Sequence, residues 1–281
     1  RLNILLTRPW LRSLSSQRLE LVEFCKSASQ VSLGIVGLGA FGQLMAEHLA
    51  PHLTVLAHDP RPPEIVPAGV TMASLREACR CDLVVIAVPL AALAHVCREM
   101  APLLMPGTLV VDVCSTKVEA SAAMRAELPP YVDLVASHPM FGPQSILAGT
   151  RGLKLVLCPL RGRRAGRLAA FLRKHFGLKI LIATPDEHDR EAAFTQGLTH
   201  LIAHALLRMD ELPGRITTRS FDLLKQAVDM VRHDAPGVRQ AIESNPYAAQ
   251  ARSLFLAQLD AIRGELGAGS ARPGMQIMRL P

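Results

Sequence analysis

The sequence predicts an α/β fold in which a doubly wound parallel sheet is followed by an all-helical domain. Apolar runs typical of buried strands alternate with helical periodicity from residue 31 to residue 184. A glycine-rich turn joins the first of these strands to the first helix. After Pro185 the strand pattern stops and helical periodicity alone continues. With 281 residues, 49% of them hydrophobic, the chain is long and apolar enough for two packed domains.

The first strand and helix carry the clearest motif. In residues 31–42, VSLGIVGLGAFG, an apolar run ends in Gly37-x-Gly39-x-x-Gly42 and a helix begins. Gly37 permits the tight turn, Gly39 lets a pyrophosphate approach the backbone, and Gly42 allows the helix to pack closely on the sheet. This order of elements predicts a Rossmann-type dinucleotide site with the phosphates, and Phe41, at the helix N-terminus.

The second predicted strand, at 53–58, ends at Asp59, 22 residues after the first glycine of the motif. A carboxylate there accepts hydrogen bonds from ribose hydroxyls and repels a 2′-phosphate, which favours NAD. Arg61 would instead suit the phosphate of NADP, so NADP stays open. Val88 and Pro89, at the end of the third predicted strand, complete the predicted cofactor site. The alternative is a glycine-rich turn that binds no nucleotide.

The remaining elements follow from periodicity. Five strands are predicted at 31–36, 53–58, 82–88, 108–113 and 131–137, and two more, at 154–158 and 178–183, flank a helix at 163–176 and extend the sheet. Beyond Pro185, helices are predicted at 186–210, 217–233 and 245–265. The predicted segments are an N-terminal extension (1–30), the dinucleotide-binding domain (31–184), a helical substrate-binding and dimerisation domain (185–266) and a mobile tail (267–281). A homodimer is expected, because apolar helical faces are often completed by a second copy.

Composition narrows the class of partner. The net charge of +7 suits anionic ligands, but the basic run at 161–167, RGRRAGR, has no interleaved aromatic residues, so no nucleic acid is expected. No apolar run reaches the ~18 residues of a membrane span. The six cysteines lack metal-ligand spacing, and His200 with His204 lacks a third ligand, so we expect reduced thiols, no metal and a cytoplasmic location. The basic residues 1–30 leave plastid import open.

Two polar clusters follow predicted strands, DVCSTK at 112–117 and SHPMFGP at 137–143. Ligands of a parallel sheet bind outside the carboxyl ends of its strands, so reactive groups are expected here. Ser115 offers a hydroxyl, Lys117 a cation and His138 an imidazole. A histidine beside a nicotinamide can accept the proton of a substrate hydroxyl while hydride leaves the same carbon. The alternative for His138 is a core histidine bonded to the backbone.

These clusters, together with EHDREAAFTQGLTH at 187–200, Ser220-Phe221 and Asn245-Pro246, resemble the prephenate/arogenate dehydrogenases of tyrosine biosynthesis over roughly residues 31–265. The His-Pro-Met-Phe-Gly loop and its Gly-Pro continuation are most similar to the short, plant-like branch. The resemblance implies oxidative decarboxylation of prephenate and/or arogenate, with hydride transfer from C4 to NAD(P). It implies that His138 takes the C4 hydroxyl proton and that Ser115 bonds that hydroxyl or His138. Activity should then fall below the pKa of the histidine, ~6.5 if unperturbed.

Substrate carboxylates need cations or hydrogen-bond donors, which Lys117 can supply from the first domain. Gln196 and His200 are four residues apart and share a predicted helix face, and the resemblance directs His200 towards the substrate. Several bacterial relatives use an arginine for the ring carboxylate where this chain has Lys225 or Gln226; a solvated lysine is the alternative. Gln144 stands where many relatives have glutamate.

Two other functions compete with this interpretation. A β-hydroxyacid-type dehydrogenase also joins a nucleotide domain to a helical domain, but it would need a catalytic lysine where this chain has Gln196 and His200. A non-catalytic nucleotide-sensing regulator would need a DNA-binding element, which the sequence does not show.

Overall fold

The computed structural model describes residues 31–146, 149–209, 212, 214–232, 234 and 236–269. The chain divides into two compact units. The first extends to Asp189 and includes Asp234–Ala241, and the second comprises Arg190–His233 and the chain from Ile242 onward. The division thus follows Asp189, whereas the predicted boundary followed residue 184. The predicted extension at 1–30 and most of the predicted tail, 270–281, lie outside the described residues.

The described part of the first unit is built on one eight-stranded sheet. Its strands are β1 (Ser32–Val36), β2 (Thr54–His58), β3 (Val70–Met72), β4 (Leu83–Ile86), β5 (Leu109–Asp112), β6 (Asp133–Pro139), β7 (Lys154–Arg161) and β8 (Lys179–Ile182). Their order is β3-β2-β1-β4-β5-β6-β7-β8. All neighbouring strands run parallel except β6 and β7, which are antiparallel.

Helices cover both faces of this sheet. They are α1 (Ala40–Leu49), α2 (Leu75–Ala78), α3 (Leu90–Met100), α4 (Val118–Glu127) and α5 (Ala165–Phe176), with 3₁₀ turns at Ala101–Leu103 and Pro143–Ile146. Helix α6 (Pro185–Ala192) follows the last strand, and the first unit ends within it, at Asp189. Successive strand residues face opposite ways, so Val84 and Ile86 pack in the cluster that contains the apolar side of α3 and α4. Val85 packs in the other cluster, with α1 and α5. The predicted doubly wound α/β fold is confirmed.

Two strands differ from the prediction. The three-residue edge strand β3 was missed, because so short a run carries little periodicity. The strand predicted at 154–158 does extend the sheet, but it runs antiparallel and continues to Arg161. A parallel crossover usually contains a helix, and the described residues between β6 and β7 form just one 3₁₀ turn.

The second unit is helical in its described residues. A π-helical turn (Ala193–Gly197) leads into α7 (Leu198–Leu207), which is followed by α8 (Arg219–Arg232). Helix α9 (Pro236–Glu243) comes next in the chain, but its residues up to Ala241 belong to the first unit, and α10 (Ala248–Gly269) belongs to the second. Ala203 of α7 and Val228 and Val231 of α8 form its buried core. Helix α9 was missed because Pro236 was interpreted as a break, although proline is favoured at the first position of a helix. Helix α10 continues through Gly269, into the predicted tail.

None of the described helices combines the length and apolarity needed to cross a bilayer. The described cysteines, Cys79, Cys81, Cys97, Cys114 and Cys158, are free and buried. Burial raises the pKa of the Cys79, Cys97 and Cys158 thiols to about 12, so these groups stay protonated at neutral pH.

Candidate active site

The strand order changes direction at β1, which lies between β2 and β4. At such a switch point the loops after adjacent strands leave in opposite directions and open a crevice that binds ligands. The loop after β1 holds the glycine motif. The loop after β4 holds Val88, which is half-buried, and Pro89, which is exposed and precedes α3. The predicted cofactor residues therefore border one crevice.

The glycine turn has the shape that a pyrophosphate requires. Gly37 has a φ of +100°, and a Cβ there would lie 2.5 Å from the carbonyl oxygen of Ala87. A Cβ on Gly42 would lie 2.2 Å from the carbonyl oxygen of Gly37. At Gly39 a Cβ would meet no atom within 4 Å, so open space faces the N-terminus of α1. The first N–H groups of a helix have no intrahelical acceptor, so this turn fits the phosphates of a dinucleotide.

Phe41, in the first turn of α1, contacts the loop that follows β6. Its ring centroid lies 6.3 Å from that of Phe141. The glycine motif and the His-Pro-Met-Phe-Gly loop are therefore in direct contact through two half-buried rings.

Asp59 follows β2 and organises the glycine turn. Its Oδ2 accepts a hydrogen bond from the Leu38 N–H at 2.7 Å, and its Oδ1 accepts one from the Arg61 N–H at 2.8 Å. An ionised carboxylate can accept about four hydrogen bonds. The bonds to the backbone are therefore compatible with the predicted contact to ribose hydroxyls.

Asp112, the last residue of β5, holds the ends of β5 and β6 together. Its Oδ2 accepts from Lys117 Nζ at 2.6 Å and from the Cys114 N–H at 2.9 Å. Its Oδ1 accepts from the Ser137 N–H at 3.1 Å, and its carbonyl oxygen accepts from Ser137 Oγ at 2.6 Å. Because Ser137 directly precedes His138, these bonds fix the backbone that carries the imidazole.

Lys117 does not lie where a substrate cation was predicted. Its side chain is 0% exposed, and besides Asp112 its Nζ donates to the carbonyl oxygen of Ser137 at 2.6 Å. A buried ammonium is stable only when it is paired and hydrogen-bonded. Lys117 therefore orders the protein interior, and the prediction that it binds substrate directly is corrected.

His138 lies on β6 and is 4% exposed. Its Nδ1 is 2.9 Å from Nε2 of His188, and Nδ1 of His188 is 2.7 Å from Oδ1 of Asp189. Asp189 also accepts from the N–H groups of Lys117 and Val118, at 2.7 and 2.8 Å, and so caps α4. The partner of the His138 Nδ1 is thus a second imidazole and not a backbone group.

The surroundings of His138 keep its ring neutral. Burial first, then the His188 ring, then the Lys117 ammonium hold the pKa of His138 well below its usual value of 6.5. Since Nδ1 faces His188, Nε2 is the nitrogen that remains for a substrate. The group can act as a general base at neutral pH.

Ser115 and Cys114 occupy the loop between β5 and α4. Ser115 is half-buried, so its hydroxyl is partly accessible. The Cys114 thiol donates to the carbonyl oxygen of Val88 at 3.7 Å, and burial raises its pKa. A protonated thiol is a poor nucleophile and Thr116 is buried, so Ser115 carries the accessible hydroxyl of this loop.

The other predicted substrate residues belong to other elements of the chain. Gln196 is half-buried in the π-helical turn, a feature that often marks functional positions. His200 is buried on α7 and Lys225 is half-buried on α8. Gln144 belongs to the 3₁₀ turn Pro143–Ile146, and its side chain is outside what the structure describes. No cluster of three or more potential metal ligands occurs among the described residues.

Sequence reasoning missed the partners of His138. His188 and Asp189 were part of the EHDREAAFTQGLTH segment, yet neither was given a role, and Asp112 was noted only within DVCSTK. The available signal was the adjacent His-Asp pair on the helix that follows the last strand. An imidazole followed by a carboxylate is a common means of orienting a second group.

Known proteins resemble this chain in sequence and in fold. Residues 65–173 match the family described as "Prephenate dehydrogenase, nucleotide-binding domain". A probable arogenate/prephenate dehydrogenase from Methanocaldococcus jannaschii is 32% identical over 133 residues, which cover 45% of this chain and 29% of that protein. Arogenate dehydrogenase 1, chloroplastic, from Arabidopsis thaliana is 28% identical over 218 residues, covering 72% of this chain and 34% of the relative. The aligned regions thus span about a third of these relatives' own length.

The fold is shared with a solved structure, the prephenate dehydrogenase of A. aeolicus in complex with hydroxyphenyl propionate and NAD⁺. The two superpose with a TM-score of 0.68 at 18% identity, over 87% of this chain and 93% of that one. The family match over residues 65–173 and the similar sequences show that this part of the chain resembles the prephenate/arogenate dehydrogenases, and the fold of the chain agrees with that similarity.

Proposed function

We propose that this protein catalyses the oxidative decarboxylation of prephenate and/or arogenate, with hydride transfer to NAD(P), in tyrosine biosynthesis. The observation that carries the proposal is His138, a buried neutral imidazole at the carboxyl end of β6 whose Nδ1 is held by His188. The family match over residues 65–173 supports it, as do the NAD⁺ and hydroxyphenyl propionate bound by the A. aeolicus protein of similar fold.

In the proposed reaction, His138 accepts and returns the proton of the substrate hydroxyl. Bound NAD(P) supplies the hydride acceptor. As hydride leaves C4, His138 Nε2 takes the proton of the C4 hydroxyl, and the C4 oxygen becomes a carbonyl oxygen. Loss of CO2 from the ring carboxylate sends its bonding electrons into the ring, and the resulting phenolate oxygen takes the proton back from His138. Ser115 is assigned a hydrogen bond to the same oxygen or to His138.

We assign the substrate's other polar groups to Gln144, Gln196, His200 and Lys225. Gln196 and His200 are polar groups four residues apart, in the π-helical turn and at the start of α7. Lys225 is a cation on α8, suited to a carboxylate.

Turnover tests the proposal directly. The full chain is mixed with NAD and either prephenate or arogenate, and reduced cofactor is followed by absorbance. We expect turnover with at least one substrate, and a loss of roughly 10²-fold or more in kcat for His138→Asn, because the base is removed. NAD affinity should be retained in this variant. No turnover with either substrate rejects the function, and full activity in His138→Asn rejects the role of His138.

The pH dependence of kcat reports on the same imidazole. A base must be unprotonated, and the lowered pKa of His138 keeps it so below its usual value of 6.5. We therefore expect activity to persist as pH falls through 6.5 and to be lost only at the lower pKa. Circular dichroism at each pH controls for unfolding. An acid limb centred at or above 6.5 would contradict the assignment.

Cofactor choice is proposed to favour NAD, through Asp59. Asp59→Asn removes the charge but keeps an oxygen for the Leu38 N–H, whereas Asp59→Ser shortens the side chain. Both should raise the ratio of kcat/KM for NADP to that for NAD by roughly tenfold or more, since a like charge no longer faces the 2′-phosphate. An unchanged ratio in both variants would show that Asp59 does not meet the ribose.

The protein is proposed to be a homodimer through its helical unit. On α10, Leu259, Ile262 and Leu266 recur at helical spacing and are 45, 49 and 70% exposed. A stripe of this kind suits burial against a second copy. Leu259→Asp with Ile262→Asp should convert a dimer to a monomer in sedimentation equilibrium, while Ile65→Asp, at an isolated position 81% exposed, should not. A monomeric unmodified chain would refute the dimer.

A further inference from the structure

We infer that His188 and Asp189 are positioning residues that hold His138 in the tautomer with its lone pair on Nε2. The inference rests on the proposed function, because it assigns roles at the same site. It is carried by three buried groups in a row, with 2.9 Å between the two imidazoles and 2.7 Å between His188 and the carboxylate.

Asp189 determines which atoms donate and which accept along the row of His138, His188 and Asp189. This carboxylate is 0% exposed, and its two oxygens accept from the N–H groups of Lys117 and Val118. Backbone N–H groups can only donate, and they lie at the start of α4, where a negative charge is favoured. Asp189 is thus an ionised acceptor, so its bond to His188 requires a proton on Nδ1 of His188.

The remaining protons follow from the chemistry of imidazole. A neutral ring carries one donor nitrogen and one acceptor nitrogen. With Nδ1 of His188 donating to Asp189, Nε2 of His188 must accept. The ring nitrogen that faces it, Nδ1 of His138, must then donate, and Nε2 of His138 is left with the lone pair that a base needs.

One other arrangement fits the same distances. If His188 carries protons on both nitrogens, it donates to Asp189 and to His138 alike, and His138 then holds its own proton on Nε2. A ring in that form presents a donor to the substrate and cannot accept the hydroxyl proton. The buried carboxylates of Asp112 and Asp189 and the Lys117 ammonium lie beside this pair, so charge alone does not select between the two arrangements, and the base role of His138 requires the first.

The row also stabilises the charge that forms during the reaction. When Nε2 accepts the substrate proton, His138 becomes an imidazolium whose Nδ1–H is already directed at His188. The neutral His188 passes this polarisation to Asp189 through its own Nδ1–H. The carboxylate thus stabilises the cation without any proton transfer from His138 to His188. The buried aspartate of serine-protease triads has the same role.

Nitrogen NMR tests the tautomers without any substrate. The full chain is labelled with ¹⁵N-histidine, and long-range ¹H–¹⁵N correlations at neutral pH distinguish Nδ1–H from Nε2–H rings. Peaks are assigned by their loss in His138→Asn and His188→Gln. We expect both His138 and His188 to be Nδ1–H tautomers. An Nε2–H tautomer at His138, or a doubly protonated His188, overturns the inference.

Kinetics separate positioning from simple packing. His188→Leu removes the acceptor for His138 and should lower kcat by roughly 10²-fold or more, with substrate KM and NAD affinity little changed. His188→Gln offers an amide oxygen to the same Nδ1–H and should recover much of that loss. The matched control is His95→Asn, on an exposed position of α3. Equal kcat in the Leu and Gln variants would overturn the assignment.

Different results would reject the proposed function and the positioning role of His188. If the unmodified chain turns over neither prephenate nor arogenate, the proposed function is wrong, and the NMR spectra still decide the tautomers. If the chain is active and His188→Leu keeps full kcat, the proposed function stands and the positioning role is wrong.

Discussion

The buried ion pair between Lys117 and Asp112 is the interaction on which the candidate site depends. Nζ of Lys117 lies 2.6 Å from both Asp112 Oδ2 and the carbonyl oxygen of Ser137, while its main-chain N–H is bound by Asp189. Lys117 therefore holds both the backbone of β6 at Ser137, next to His138, and the Asp189 carboxylate that hydrogen-bonds His188. Desolvating two charges offsets much of their attraction, so such a pair contributes little net stability. Its effect here is on position, because breaking either half would leave a buried charge unpaired.

The same ammonium also shapes the chemistry. Burial and the positive charge of Lys117 favour the neutral form of His138 and so lower its pKa. A lower pKa makes the imidazole a weaker base, but it keeps the ring unprotonated over a wider range of pH. A weak base is sufficient in the proposed reaction, because the hydroxyl proton becomes acidic as hydride leaves the same carbon. His138 is therefore a weaker base that stays unprotonated over a wider range of pH. The His188–Asp189 pair offsets the lower base strength by stabilising the imidazolium when it forms.

The sequence predicted the features that are determined by short stretches of neighbouring residues. Buried parallel strands appear as continuous apolar runs. Glycine is required at Gly37 by its positive φ and at Gly42 by the close approach of the Gly37 carbonyl oxygen. The sequence did not predict that β7 runs antiparallel to β6, because the hydrophobic pattern of a strand is the same whichever way the strand runs. It could not show the burial of Lys117, since a charged residue gives no sign of a partner inside the fold. His138 and His188 are 50 residues apart in the chain, and a contact at that distance exists only once the sheet and α6 are assembled.

Three aspartates show why the type of a residue is a weak guide to its role. Each uses its carboxylate to accept backbone N–H groups: Asp59 at the glycine turn, Asp112 at the end of β5 and Asp189 at the start of α4. A short carboxylate loses little side-chain entropy and satisfies donors that loops leave unpaired. An interpretation by type would assign these groups to ribose, substrate or metal. In the structure they first determine the shape of the loops, and any contact with ligand uses the acceptor capacity that remains. In the proposed reaction the neutral groups Ser115 and His138 are assigned to the reacting hydroxyl, because these carboxylates are already engaged by backbone N–H groups.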